Sequence, residues 1–155
     1  MFDINGVYKA LKQQSALQDK SLEFRPLKFR GEVVEDYFVD SQGNVWSTKR
    51  RNPEMLTASS SGNKYLAVCI QVNKKSYTID IHRLVCETWY EKDRPNNIPK
   101  QIWDNAHDIL KECILESLEV NHIDHDTSNY HPSNLEWVTR KENNQKSHMH
   151  YHGGK

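Results

Sequence analysis

Two asparagines and one histidine carry the clearest chemical potential in the chain: Asn121 and His122 side by side, and Asn143 further on. Amide oxygens are hard donors, and hydrated Mg²⁺ accepts such donors at about 2.0–2.1 Å while keeping several of its waters. A neutral imidazole, with an unperturbed pKa of about 6.5, can take a proton from water near neutral pH. A cation that neutralises a phosphate and a base that activates water are the parts a phosphodiester hydrolase requires. Taken alone, a histidine is more often structural and an asparagine more often a cap or loop brace. The surrounding sequence therefore decides the matter.

Val120–Asp124 reads as the end of a strand, Asp124–Ser133 as a polar loop, and Leu135–Val138 as a short returning strand. A polar loop of that length needs side chains that bond its backbone, and Asn134 is the candidate brace. Thr139-Arg140-Lys141-Glu142 has capping-box spacing, so a helix starts there and carries Asn143 near its beginning. A strand end and a helix start can converge on one spot, with Asn121 and Asn143 offering oxygen ligands and His122 a base. Upstream, Tyr65–Val72 and Tyr77–Ile81 alternate in apolar character around Asn73-Lys74-Lys75, the pattern of a hairpin. Short strands are expected at Tyr37–Asp40, Asn44–Ser47 and Met55–Thr57, and a polar loop at Ser59–Asn63. Helices are expected at Asn5–Asp19, His82–Tyr90 and Trp103–Leu118; the last places Ile109, Leu110, Cys113 and Leu118 at helical spacing.

The formal net charge of the 155 residues is zero, but its distribution is not uniform. Val45–Arg83 holds seven basic against two acidic residues, Lys100–Asp126 two against seven, and Trp137 onward four against one. Basic segments around an acidic one suit a protein that docks on a polyanion and holds a cation nearby. Three separated cysteines, Cys69, Cys86 and Cys113, form no CxxC pair and are expected to be buried thiols in a reducing compartment. No run of residues is apolar enough for a membrane span and no signal-peptide pattern opens the chain, so the expected location is cytoplasmic, in the host cytoplasm if phage-encoded.

Asn121-His122-Ile123-Asp124 followed by Asn134-Leu135-Glu136-Trp137-Val138-Thr139 resembles the HNH (His-Me finger, ββα-metal) endonucleases, most closely the phage and intron homing-endonuclease branch. His82-Arg83-Leu84-Val85 resembles a helix common in that branch, and Gly43-Asn44-Val45-Trp46-Ser47 a small β module often fused before the nuclease core. The resemblance implies an α+β fold, a small antiparallel β module followed by a ββα-metal core. It implies His122 as general base, Asn121 and Asn143 as ligands of one Mg²⁺ or Mn²⁺ ion, and Asn134 as the residue that orders the loop. Asn121 stands where many relatives have Asp, His125 where Gly is common, and 91–119 is a longer connection than usual.

The expected organisation is an N-terminal helical extension at 1–34, a DNA-contacting β module at 35–81, and the nuclease core at 82–155 with an inserted helix at about 103–118. The expected partner is double-stranded DNA, contacted by Lys49, Arg50, Arg51, Lys74 and Lys75 of the β module and by Arg140, Lys141 and Lys146 of the last helix. One site per chain implies one strand cut per encounter, so a monomer would nick and a dimer would be needed for a double-strand break. The competing expectation is a DNA-binding module of the same fold that has lost catalysis.

Overall fold

The computed structural model describes residues 4–15, 22–60, 62 and 64–152, side chains at 4, 14, 15 and 150–152 excepted. The chain is α+β, with antiparallel sheets and five helices among the described residues. Helix α1 (Ile4–Ser15) precedes a four-stranded sheet of β1 (Phe24–Phe29), β2 (Glu32–Asp40), β3 (Val45–Ser47) and β4 (Glu54–Met55), paired in that order. A second sheet joins β5 (Ser59–Ser60), β6 (Leu66–Val72) and β7 (Lys75–Asp80). Helices α2 (Ile81–Trp89), α3 (Lys100–Asn105) and α4 (Asp108–Glu116) follow, then the two-stranded hairpin of β8 (Glu119–His122) and β9 (Leu135–Val138), and finally α5 (Arg140–His152). No helix among the described residues is long and apolar enough to cross a membrane.

Strand β1 falls where only a helical extension is expected. Its register against β2 shifts between Pro26 and Lys28, so the apolar residues do not alternate, and Pro26 weakens the strand signal further. The expected helix at 103–118 is two helices. Ala106 and His107 are extended, and the His107 Nδ1 accepts the amide of Ile109 at 3.1 Å, starting α4 afresh. The face assigned to Ile109, Leu110 and Cys113 is exposed; Trp103 and Leu118 are the residues buried from this region. Ile81 opens α2 and does not end the preceding strand, and a short β5 lies in the segment expected to be loop. Cys86 alone is buried, where loss of solvation pushes its thiol up to about 12; Cys69 and Cys113 are exposed.

Helix α2 joins the pieces. Ile81, Leu84, Val85 and Cys86 share one apolar core with Leu27, Val39 and Val45 of the first sheet, Val68 and Ile70 of the second, and Leu135 of the hairpin. Hydrogen bonds reinforce the seams. The amide of Lys28 donates to Thr88 Oγ1 at 3.1 Å, that of Gln71 to the Tyr37 hydroxyl at 2.9 Å, and the Trp137 indole to the Tyr90 carbonyl at 3.1 Å. A smaller core of Leu11, Leu22, Phe24, Phe38 and Trp46 seats α1 on the outer face of the first sheet. Leu17, expected to belong to the first helix, lies outside the described residues.

Candidate active site

Asn121 and His122 end β8, opposite Glu136 and Leu135 of β9. Successive strand side chains leave on opposite faces, so the two diverge. The expected convergence on one spot holds for Asn121 and Asn143 but not for the His122 ring, which packs against Tyr65 and His82. On the face of Asn121, its Nδ2 donates to Glu136 Oε1 at 2.8 Å, and Lys146 Nζ reaches the same oxygen at 2.6 Å. Asn143 Nδ2 donates to Glu119 Oε2 at 2.9 Å, and Glu119 sits two residues before Asn121 on the same strand face. The hairpin and α5 thus bring Asn121 and Asn143 to one side, each amide oriented by a glutamate. Burial alone would raise the pKa of Glu136, but hydrogen bonds from Lys146 and Asn121 outweigh it and hold the carboxyl below its usual range.

Each amide gives an N–H to a carboxylate and keeps a carbonyl oxygen, the atom a hard cation takes. Among the described residues no group of three or more His, Cys, Asp or Glu side chains is spaced to hold a metal. A cation here would therefore rest on amide oxygens and water, with Glu119 and Glu136 supplying negative charge beside it. An oxygen-only, incomplete donor set fits a hydrated Mg²⁺ or Mn²⁺ and does not fit a closed zinc site.

On the other face His122 is 6% exposed, and its Nε2 is buried with no hydrogen-bond partner among the described residues. Its ring lies nearly parallel to Tyr65, 5.8 Å between centroids and 14° between planes, and 5.0 Å from the ring of His82. Tyr65 and His82 are 4.4 Å apart, which completes a three-ring cluster. Burial and the nearby charge of Lys64 depress the pKa of His122, against the opposing pull of Asp124. Burial, then His122, Arg83 and Lys64, drive that of His82 down to about 3. Both imidazoles are accordingly neutral at physiological pH.

The loop between the strands is stitched by Asn134. Its Oδ1 accepts the amide of Asp124, and its Nδ2 donates to Asp124 Oδ1 and to the Asn129 carbonyl, each at 2.9 Å. Asn129 Nδ2 donates to the second Asp124 oxygen at 2.7 Å. Hydrogen bonds from Asn129, from the Asp126 amide and from Asn134 hold the Asp124 carboxyl below its usual range. His125 has a φ of 63°, a left-handed backbone that glycine would adopt without strain. Beyond β9 the Thr139 hydroxyl accepts the amide of Glu142 at 3.2 Å and lies 3.1 Å from its carboxylate, which caps α5 and fixes the start of the helix that carries Asn143.

The basic residues sit in three settings. Lys74 and Lys75 are exposed at the tip of the β6–β7 hairpin, where Asn73 and Lys74 have φ of 51° and 66°. Lys49, Arg50 and Arg51 are exposed after β3; Lys49 Nζ lies 3.4 Å from Gln71 Oε1, and Arg50 is 3.8 Å from Glu54. On α5, Lys141 is exposed, Arg140 Nε lies 4.0 Å from Glu119, and Lys146 is drawn inward to Glu136. Sequence reasoning did not mark Glu119, Glu136, Lys64 or Tyr65 for the site. Glu136 follows from pairing the two strands antiparallel; for Tyr65 no local signal exists, because its contact depends on how the second sheet packs. A cavity of about 1020 Å³, lined by Arg30, Tyr77, Arg83, Tyr90 and Trp137 among others, includes none of Asn121, His122 and Asn143.

Comparison with known proteins finds similarity in the same region. Residues 91–145 match the family model described as HNH endonuclease. An uncharacterized HNH endonuclease of Acanthamoeba polyphaga mimivirus is 35% identical over 108 residues, 70% of this chain and 26% of the relative. The chain thus spans about a quarter of that relative's length. A solved structure of the HNH homing endonuclease I-HmuI, described as binding and cleaving DNA, matches with a TM-score of 0.55 at 22% identity. That likeness covers 83% of this chain and 59% of the other, and it concerns the fold. The hairpin and the first part of α5, which carry Asn121, His122 and Asn143, fall in the segment that matches the HNH endonuclease model.

Proposed function

We propose that this chain is a metal-dependent endonuclease that hydrolyses phosphodiester bonds of double-stranded DNA, nicking one strand per encounter in the manner of a homing-type enzyme. The observation that carries the reading is the pair of glutamate-oriented asparagine amides that β8 and α5 bring to one side, with a neutral, buried histidine next to Asn121 at the strand end. Asn121 and Asn143 are the residues that hold the ion, through their carbonyl oxygens. A bound Mg²⁺ or Mn²⁺ supplies charge neutralisation at the scissile phosphate and at the leaving 3′ oxygen. His122 accepts the proton of the attacking water, and its burial keeps the imidazole in the basic form. Asn134 orders the loop that follows His122. Lys49, Arg50, Arg51, Lys74, Lys75, Arg140 and Lys141 are proposed to meet phosphates, and Lys146 to balance Glu136 beside the ion.

Supercoiled plasmid incubated with the protein tests this. Relaxed, nicked circles appear with Mg²⁺ and do not appear when EDTA is present. Intact supercoils in Mg²⁺, with DNA binding preserved, would instead favour a docking module without catalysis.

A further inference from the structure

The segment that leads into β6 reaches the β8–β9 hairpin at two linked points. Tyr65, just before β6, stacks on His122, and the Lys64 carbonyl accepts the Thr127 hydroxyl of the β8–β9 loop at 2.9 Å. The loop meets the first sheet as well: Gly43, with a φ of 89°, packs so closely on Tyr130 that an added Cβ would collide with its carbonyl oxygen. A histidine at the end of a two-stranded ladder has backbone support on one side only, so the orientation of its ring depends on what packs against it.

Resting on the reading of His122 as the base, we propose that Tyr65 is a positioning residue for that reaction. Its ring, together with His82, fixes the plane of the His122 imidazole, and the Thr127–Lys64 bond fixes the distance between the two segments. The β module then contributes to catalysis through geometry, in addition to any contact with DNA. Tyr65 is only partly buried and belongs to neither apolar core, so its replacement leaves the main packing in place.

The test compares Tyr65→Ala, Tyr65→Leu and Tyr65→Phe by two measurements. The first is the NMR shift of the His122 ring protons in the free, metal-free protein. The second is the single-turnover cleavage rate at saturating protein, alongside DNA affinity. Ala and Leu should displace the His122 resonances and slow cleavage by about 10–10²-fold, the scale at which a small misplacement of a reacting group acts, with DNA affinity unchanged. Phe, which restores the ring, should return both signals towards wild type. Leu keeps apolar bulk without aromaticity, so it keeps the test alive if the Ala variant folds poorly. Unmoved His122 resonances, or wild-type rates in the Leu variant, would overturn the proposal. The NMR measurement needs neither DNA nor metal. A wild-type protein that cuts nothing would therefore overturn the nuclease reading, while the resonances still decide the placement of His122.

Discussion

The choice of asparagine at position 121 has a cost and a use that the geometry makes explicit. Its amide donates to Glu136 at 2.8 Å, a contact a carboxylate at 121 would turn into like-charge repulsion. Asn121→Asp should therefore lower the thermal midpoint of the metal-free protein, and added Mg²⁺ should restore it by more than it raises wild type. Coupling the change to Glu136→Gln should remove most of the metal-free penalty. A midpoint unaffected by metal in Asn121→Asp would argue against a ligand at this position. His82 makes a second prediction. Its pKa is near 3 in the folded chain and about 6.5 when unfolded, so between those values the unfolded state binds more protons. Stability should then fall as pH drops from about 6.5 towards 3, by up to about 1.4 kcal/mol per unit from this group. Denaturant titrations at pH 7, 5.5 and 4.5 should show a flatter decline in His82→Phe; an equal decline would remove His82 as a source.

At the scale of elements, the β6–β7 hairpin presents Lys74 and Lys75 on a tight turn with left-handed backbone at Asn73 and Lys74. Side chains held on such a ribbon can follow a DNA groove or backbone, and each neutralised phosphate contributes about 0.9 to the slope of log affinity against log salt. Replacing both lysines with alanine should weaken binding and flatten that slope, while the cleavage rate of the bound complex stays close to wild type. An unchanged slope would remove the hairpin tip from the interface. This hairpin was legible in sequence because its apolar residues alternate without interruption, and so was α5, because Thr139 and Glu142 stand at capping distance. Strand β1 was not, since a bulge and a proline disturb its period. Nor was the break between α3 and α4, since a histidine side chain caps α4 where sequence rules look for Ser, Thr, Asp or Asn. Of the site, Asn121, His122, Asn134 and Asn143 lie within a few residues of a recognisable phrase. Tyr65 and Gly43 approach it only through tertiary packing, which no local pattern encodes.

For the whole molecule, the boundary expected at residue 81 runs through a shared interior: residues from both sheets, α2 and the hairpin form one apolar core. The two sheets, α2 and the β8–β9 hairpin are therefore packed as one body, and the segment before β6 braces the β8–β9 loop. Neutral overall charge is compatible with contact to DNA, because Lys100–Asp126 is net acidic, seven against two, while Val45–Arg83 and Trp137 onward are net basic. The proposed role of His122, held at the end of β8, as the base of a metal-dependent DNA cleavage reaction is best probed by comparing wild type with His122→Ala on supercoiled plasmid in Mg²⁺, at protein concentrations that saturate binding of both. Wild type should give nicked circles and the variant a rate about 10²–10⁴-fold lower, with DNA affinity retained. A variant that nicks within a few-fold of wild type would contradict that role.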